Sequence, residues 1–293
     1  MEKPCHELCF LCGSSRIVGL KGYEKHELAK CADCSFVFMR KIPTIKELSD
    51  YYSVYAYQNE KVMPEATRIS LEGLISGFDP YRKNNRILDV GCGEGWMLEI
   101  AKNYGWEVYG TEYSPRAVEI CEAKGIKMYP GILNPEKMEV QEFDVILSSE
   151  TIEHINNPKE DFANVTKLLR KGGLLYVTTP NFNSLLRILL KSKYDIIKYP
   201  EHLSYYTRTT LNNLLSSCGL KKVKMLTTGM SFTHYQTSVD TAKQSLDKST
   251  SVDEKLRKKI VKSPLLQFVK NIVNKILTFL GLGMTLKAYY VKE

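Results

Sequence analysis

The chain has 293 residues, of which 43% are hydrophobic and 25% are charged. These values fit a globular protein with a buried core and exclude a largely disordered chain, a collagen-like repeat and a coiled coil. No run of about 18 apolar residues predicts a transmembrane helix, and the first residues, MEKPCHELCFLC, contain no apolar signal core. We therefore expect a cytoplasmic protein.

The net charge of +8 is concentrated in the C-terminal third of the chain. Lys and Arg outnumber Asp and Glu by 19 to 7 over residues 187–293, whereas residues 1–186 carry a small acidic excess. Such a basic third suits an anionic partner, which would be a phosphate-bearing substrate, the acidic inner face of a membrane or nucleic acid. The alternative is a lysine-rich surface that only keeps the protein soluble.

Five of the eight cysteines lie within the first 34 residues, and four of them form two C-x-x-C pairs separated by 18 residues. In a cytosolic chain this crowding favours a metal site over disulfides. Four thiolates can close a tetrahedral structural zinc site. We predict a zinc ribbon over residues 1–44, built from two short hairpins, with Cys5 and His6 outside the site. The predicted ligands are Cys9, Cys12, Cys31 and Cys34.

Residues 45–85 are predicted to form a helical linker with helices near 45–57, where tyrosines cluster, and 65–78. From residue 86 onward, short apolar strands alternate with amphipathic helices. Strands are predicted at 86–90, 107–112, 143–148, 174–179, 221–226 and 286–291. Helices are predicted at 96–104, 115–124, 158–169 and 208–218. The alternation predicts an α/β domain over residues 86–293 with a doubly wound, mostly parallel sheet, whose ligands bind at the carboxyl ends of the strands.

A long insertion, about residues 229–284, separates the last two predicted strands. Its first half is polar, and its second half, 264–280, has the apolar periodicity of an amphipathic helix. We expect such a helix to pack on its own domain; the alternative, which the basic residues around it support, is a helix that lies at a membrane surface or against a partner.

The stretch RILDVGCGEGW over residues 86–96 carries most of the chemical information. A strand ends in Asp89, and the glycines that follow let the backbone turn tightly into a helix that opens with Trp96, a geometry that suits ligand binding. Trp96 does not fit the glycine pattern of a dinucleotide site, and Asp89 favours a cationic ligand over a diphosphate. Glu112 ends the next strand, where a carboxylate can hold both hydroxyls of a ribose. A ribose-bearing cofactor with a positive centre and no diphosphate is S-adenosylmethionine.

These segments resemble class I S-adenosylmethionine-dependent methyltransferases, which have a Rossmann-like fold. The resemblance rests on LDVGCGEG from Leu88, GTEYS from Gly110, FDVI from Phe143, ETIEH from Glu150 and LRKGG from Leu169. It implies that Ile132 and Leu133 lie beside the adenine and that Ser148 lies beside the methionine part of the cofactor. The predicted cofactor-binding residues are Asp89, Gly91, Cys92, Gly93, Gly95, Glu112, Tyr113, Ile132, Leu133 and Ser148.

The segments TPN from Thr179 and PEHLSYYTRTTL from Pro200 resemble a methyltransferase group found in bacterial cell-surface glycan clusters, which often carries the same cysteine ribbon. This resemblance implies a sugar hydroxyl, in a nucleotide- or lipid-linked glycan, as the methyl acceptor. Three alternatives remain open. They are a quinone-type small-molecule O-methyltransferase with an apolar acceptor pocket, an RNA methyltransferase (the least expected, since nucleic acid is an unlikely partner), and an adaptor that binds cofactor without turnover.

Four acid and imidazole side chains are expected on the acceptor side of the sheet edge. Glu150, Glu153 and His154 follow the strand that ends near Ser148, and His202 lies on a later loop. We predict that His154 acts as general base, worth about 10²–10⁴-fold in rate. Alternatively, all four side chains share a divalent cation, Mg²⁺ or Mn²⁺, as the Glu-x-x-Glu-His segment resembles that of metal-supported O-methyltransferases.

Overall fold

The computed structural model describes residues 4–44, 46–48, 51, 62–239 and 252–293. Most of the predicted helix near 45–57 and part of the polar half of the insertion lie outside these residues. The described chain forms a four-stranded and a seven-stranded sheet.

The strands are β1 (Ile17–Gly19), β2 (Leu28–Cys31), β3 (Val37–Met39), β4 (Arg86–Val90), β5 (Glu107–Glu112), β6 (Lys127–Pro130), β7 (Phe143–Ser149), β8 (Leu169–Pro180), β9 (Ser204–Tyr205), β10 (Leu220–Thr228) and β11 (Thr285–Lys292). The α-helices are α1 (Glu65–Ser76), α2 (Trp96–Asn103), α3 (Pro115–Ala123), α4 (Pro158–Leu168), α5 (Leu185–Leu190), α6 (Arg208–Ser217), α7 (Phe232–Val239), α8 (Val252–Lys262) and α9 (Pro264–Leu280).

The seven-stranded sheet has the order β10-β11-β8-β7-β4-β5-β6. Strands β4 to β8 run parallel, and β10 and β11 complete one edge antiparallel. The strand order reverses at β4, which lies between β5 and β7. Ligands of open α/β sheets bind at such a switch point. The predicted fold class is confirmed, and the cofactor edge is therefore the carboxyl end of β4, β5 and β7.

The small sheet has the order β1-β2-β3-β9, and its last strand comes from far along the chain. Val37 of β3 pairs with Tyr205 of β9, and Met39 donates its amide to the carbonyl of Leu203 at 2.9 Å. The ring centroids of Phe36 and Tyr206 lie 5.2 Å apart in the core. The cysteine-rich segment is thus tied by backbone pairing to the loop that precedes β9.

The predicted elements of the large sheet agree with the structure to within a few residues, except at the edges. The strand β6 was not predicted, because its sequence, KMYP, is short and ends in a proline, and it lies at the sheet edge. Helix α3 begins as predicted: Ser114 caps it through Ala117 and Pro115 occupies its first turn. Within the described chain, no helix is both long and apolar enough to span a membrane.

Candidate functional site

The turn from β4 into α2 requires glycine at positions where a side chain would collide with the fold. Gly91 has φ +72°, and a Cβ placed there would lie 2.7 Å from the Cγ2 of Thr151. Gly95 has φ +73°, and its Cβ would lie 2.7 Å from the Cδ1 of Ile126. Both positive φ values disfavour other residues. The turn is therefore a compact backbone structure that brings the chain close to any ligand at the edge of β4.

Two buried oxygens in this region are suited to hold a polar ligand. Asp89 and Ser148 end buried stretches of β4 and β7. Neither the Oδ1 of Asp89 nor the Oγ of Ser148 has a hydrogen-bond partner among the residues that the structure describes. Burial, followed by the charge of Glu112, raises the pKa of Asp89 to about 7. Buried polar atoms are rarely left unpaired in proteins, so this pair fits a ligand that carries a cation or a donor.

Glu112 links the glycine turn to the end of β5. Its Oε2 accepts the amide of Gly93 at 2.9 Å, and its Oε1 accepts the amides of Tyr113 at 2.9 Å and Ser114 at 3.0 Å. A carboxylate offers about four acceptor positions, so roughly one remains for a ribose hydroxyl. Glu112 therefore has a structural role in addition to the predicted one.

The other predicted cofactor residues differ in how they can take part. Ile132 is 76% exposed and Tyr113 is 56% exposed, so both side chains can face a ligand. Leu133 is buried in the hydrophobic core, and the Sγ of Cys92 lies 3.9 Å from the Sγ of Cys121 beneath the turn. Leu133 can therefore present only backbone atoms to a cofactor, whereas Cys92 is half-buried with its thiol near Cys121.

On the acceptor side, the structure brings together three of the four predicted residues. The potential ligand atoms of Glu153, His154 and His202 all lie within 4.8 Å of one another, and Glu150 is not in this group. The Nδ1 of His154 lies 2.6 Å from the carbonyl of Glu201, and the Nδ1 of His202 lies 2.6 Å from the carbonyl of Ile196. Because a carbonyl only accepts hydrogen bonds, the Nδ1 of each ring carries the hydrogen. The Nε2 of each ring therefore has a lone pair that can accept a proton or bind a metal.

Burial controls the charge state of this cluster. It lowers the pKa of His154, and burial together with the charge of His154 lowers the pKa of His202 to about 4. Burial, followed by the charge of Glu150, raises the pKa of Glu153, whose Oε2 accepts the Thr179 hydroxyl at 2.9 Å. A donor set of two imidazoles and one carboxyl group suits metals such as zinc or iron, whereas Mg²⁺ and Mn²⁺ prefer oxygen ligands. The donor set does not fit the predicted Mg²⁺ or Mn²⁺.

Glu150 lies apart from this cluster, at the end of β7. It has φ +51°, and its amide bonds to the carbonyl of Thr178 at 2.9 Å. The residue is accessible from the cleft but has protein around most of its carboxylate. Desolvation therefore raises its pKa, although a hydrogen bond with Thr178 and the charges of Lys287 and His234 oppose the shift.

His234, whose charge acts on Glu150, belongs to a pair of residues that the sequence did not indicate. The Nδ1 of His234, on α7, lies 2.8 Å from the Oδ2 of Asp195, which also accepts the Thr237 hydroxyl at 2.5 Å. Burial alone would raise the pKa of Asp195, but the hydrogen bond and charge of His234 outweigh it, so this pKa lies below its usual value. The side chain of His234 is 38% exposed. No motif signals the pair, because its members are 39 residues apart.

An apolar cavity of about 270 Å³ is lined in part by Ser231 and Tyr235, which come shortly before and directly after His234 in the chain. Its walls come from α5, from the start of α7 and from the chain before β11. The amide of Asn181, just after β8, bonds to the carbonyl of Met284 at 2.6 Å, which joins the cavity to the carboxyl edge of the sheet. The lining residues are Leu185, Leu186, Leu189, Met230, Ser231, Tyr235, Leu282 and Met284.

The four predicted zinc ligands converge in the N-terminal sheet. Their sulfurs all lie within 4.8 Å of one another, and the Cys9–Cys34 and Cys12–Cys31 pairs are each 3.6 Å apart. Tetrahedral zinc with Zn–S bonds of about 2.3 Å requires sulfurs about 3.8 Å apart, so the four thiols could form a zinc site. Cys5 lies outside the group, and the ring of His6 packs on Phe10, with centroids 4.7 Å apart.

A family profile described as a methyltransferase domain matches residues 60–225, more than half of the chain. The chain belongs to the methyltransferase domain family. Among solved structures, this methyltransferase is similar to a SAM-dependent methyltransferase from Archaeoglobus fulgidus (19% identity, TM-score 0.53, covering 83% of this chain and 100% of that one). It is also similar to a putative sarcosine dimethylglycine methyltransferase from Galdieria sulphuraria (17% identity, TM-score 0.53, covering 84% and 98%). At such identities the likeness shows a shared fold.

Two curated relatives carry the name ubiquinone biosynthesis O-methyltransferase. The protein from Pelagibacter ubique is 30% identical over 128 residues, covering 40% of this methyltransferase and 53% of the relative. The protein from Aromatoleum aromaticum is 27% identical over 168 residues, covering 50% and 68%. The chain thus spans about half to two thirds of the length of these relatives.

These relatives correct one prediction about the methyltransferase. The predicted sugar or glycan acceptor is wrong, because the relatives are named for the ubiquinone pathway, and these relatives give no support to the expected role in polysaccharide biosynthesis. The structure supplies a physical reason. Leucine and methionine side chains dominate the walls of the cavity beside the sheet edge, and apolar walls do not offer the hydrogen bonds that a sugar requires.

Proposed function

We propose that this methyltransferase transfers a methyl group from S-adenosylmethionine to a hydroxyl oxygen of a quinone-type ring that carries an apolar tail. The apolar cavity beside the acceptor edge is the observation that carries this proposal, and the ubiquinone O-methyltransferase relatives agree with it. An apolar tail gains about 0.8 kcal/mol for each CH₂ group that it buries.

The cofactor assignment rests on the unpaired oxygens at the switch point. The carboxylate of Asp89 would hold the positive end of S-adenosylmethionine, Glu112 a ribose hydroxyl, and Ser148 the methionine part. Ile132 would cover the adenine. When bound, the cofactor supplies a methyl group already activated by its sulfonium, so the protein has only to align the acceptor oxygen and exclude water.

The acceptor oxygen must lose its proton as it forms the new bond to the methyl carbon. We assign this proton to the Nε2 of His234, because Asp195 fixes the opposite ring nitrogen as the donor and stabilises the imidazolium that forms. The side chain of His234 is also 38% exposed, whereas His154 lies in a desolvated cluster that disfavours its charged form. The cluster of Glu153, His154 and His202 then positions the loop around Glu150.

The acceptor can be tested with phenolic rings that differ only in the length of an apolar tail, by measuring S-adenosylhomocysteine formation. We expect the tailed ring to have a KM at least about tenfold lower than the bare ring. Leu186→Trp, which fills the cavity, should remove this advantage. Ile188→Trp provides the control, because Ile188 lies on the same helix but does not line the cavity. Failure of every phenolic ring to accept methyl would overturn the proposal.

The base can be tested separately on the same acceptor. His234→Gln should lower kcat about 10²–10⁴-fold with little change in cofactor affinity, and should remove the acidic limb of the pH–rate profile. His154→Gln should have a smaller effect on kcat and leave the limb in place. If the two variants exchange these behaviours, His154 is the base.

A further inference from the structure

Helix α9 is amphipathic, but it is held to the protein by its polar side. The Oδ1 of Asn274 accepts the amide of Gly229 at 3.0 Å. One turn later, the hydroxyl of Thr278 accepts the amide of Thr227 at 3.2 Å and donates to its carbonyl at 2.9 Å. Asn274 and Thr278 are four residues apart and share one helix face. These bonds therefore fix the rotation of the helix about its own axis, with this face toward β10.

The opposite side of α9 consequently points away from the fold. Leu277 is the one residue of this helix that is buried, and nine large apolar side chains are exposed, from 37% for Leu266 to 86% for Phe279. The other exposed apolar side chains of α9 are Leu265, Phe268, Val269, Ile272, Val273, Ile276 and Leu280. A helix packed on its own domain shows the reverse arrangement. An apolar surface of this size marks an interaction site.

Basic side chains surround this surface. Helix α8 leads into α9 through Ser263, which caps α9 by accepting the amide of Leu266. Five of the eleven residues of α8 are Lys or Arg, and each of them is exposed. They are Lys255, Arg257, Lys258, Lys259 and Lys262. Lys270 and Lys275 add two exposed positive charges on α9 itself.

We infer that α8 and α9 form a docking surface for an anionic lipid bilayer, with α9 lying in the plane of the interface. Interfacial helices typically expose Phe and Leu on one side and carry lysines around them. Each lysine near an anionic membrane surface adds to the electrostatic attraction. A second copy of the chain is a poorer occupant, because it would place two strongly basic surfaces against each other. The surface lies outside residues 60–225 that match the methyltransferase family.

This inference does not depend on the identity of the acceptor. The experiment is sedimentation of the full chain with phosphatidylglycerol–phosphatidylcholine vesicles, compared with pure phosphatidylcholine vesicles and with no lipid. We expect the protein to pellet with the anionic vesicles and to be released by 0.5 M salt, because screening weakens surface charge interactions. Pelleting that is equal with neutral vesicles, or absent with anionic ones, would overturn the proposal.

Two sets of variants identify the surface. Ile276→Glu should lower vesicle binding at least about tenfold without changing the melting temperature, since Ile276 is 52% exposed. Val18→Glu adds the same charge at a residue that is 54% exposed on β1, and binding should be unchanged. Lys258→Gln with Lys259→Gln should lower binding about tenfold or more, whereas Lys221→Gln with Lys222→Gln should have a smaller effect.

Other results would contradict the bilayer as occupant. If the protein forms a dimer that Ile276→Glu dissociates, the surface binds a second copy. If Ile276→Glu lowers the melting temperature by several degrees, the apolar side packs within the fold. Because the readout is lipid binding, none of these results bears on methyl transfer.

Discussion

Most of the cofactor side of the sheet edge is built from one continuous stretch of chain, to which Ile132 and Ser148 are added, whereas the acceptor side is assembled from distant loops. Asp89, the glycine turn and Glu112 all lie within residues 89–112, and Glu112 binds three neighbouring backbone amides directly. Across the edge, Glu150, Asp195 and His234 come from three separate segments. A substitution that shifts the distant loops can leave residues 89–112 in place. We therefore expect substitutions on one side to change cofactor affinity and substitutions on the other side to change the rate of methyl transfer.

The largest expected effect is on the cofactor side, where backbone and ligand meet. Gly91→Val places a branched side chain against Thr151 at a φ of +72°, and strain together with overpacking costs about 4 kcal/mol. We expect S-adenosylmethionine affinity, measured by calorimetry, to fall about a thousandfold.

Gly219→Ala is the matched control for this variant. Gly219 also has a positive φ, of +80°, but a Cβ there would meet nothing within 4 Å. The Gly219→Ala variant should therefore keep normal cofactor affinity and lose only a little thermal stability. Normal affinity in Gly91→Val would mean that the cofactor does not bind at this turn.

The difference between the two sides also explains what the sequence could predict. The strands β4 and β5 and the position of Glu112 follow from local apolar patterns and turn residues. The pair Asp195–His234 could not be found, because its members lie 39 residues apart and meet only in the folded chain. For α9, the periodicity predicts an apolar side but not its direction, which depends on the hydrogen bonds of Asn274 and Thr278 with β10.

The next largest effect concerns the N-terminal thiols, which we propose hold one zinc ion per chain. The zinc-bearing sheet supports the acceptor side: β3 pairs with β9, and the amide of Leu203, beside β9, bonds to the carbonyl of Glu153 at 2.8 Å. Cys31→Ser, or zinc removal, should therefore shift His202 and the acceptor loop. A displacement of about 1 Å costs about 10²-fold in rate.

We expect Cys31→Ser to lower methyl transfer about 10²-fold while S-adenosylmethionine affinity stays within about threefold of the starting value. Metal analysis should find about one zinc per chain before the substitution. The control is Cys218→Ser, because Cys218 lies outside the thiol group and its Sγ contacts the carbonyl of Lys159 instead. An equal loss of cofactor affinity and turnover in Cys31→Ser would mean that the two sides are not independent.

The smallest effect is a pH dependence of stability that belongs to the cofactor side alone. In the unfolded chain Asp89 has an ordinary carboxyl pKa of 3.8, and in the folded protein burial and Glu112 raise it to about 7. Below about pH 4 both states are protonated and the group has no effect. As the pH rises from about 4 to 7, the unfolded state is favoured because it ionises more easily, so folding stability declines and then stays constant above pH 7.

A pKa difference of about one unit corresponds to 1.36 kcal/mol, and relaxation around the buried carboxylate reduces the full shift, so we expect a decline of about 1–3 kcal/mol. Without cofactor, the stability gained by Asp89→Asn over the unmodified protein should therefore be small at pH 4 and clearly larger at pH 8, as measured by melting temperature. Adding S-adenosylmethionine should reverse the order at pH 8, because its positive charge pairs with the ionised Asp89 but not with the amide. If the difference in melting temperature between Asp89→Asn and the unmodified protein is the same at both pH values, with and without cofactor, then Asp89 does not face the cation. The cofactor side would in that case have no charge that distinguishes it from a phosphate-binding site.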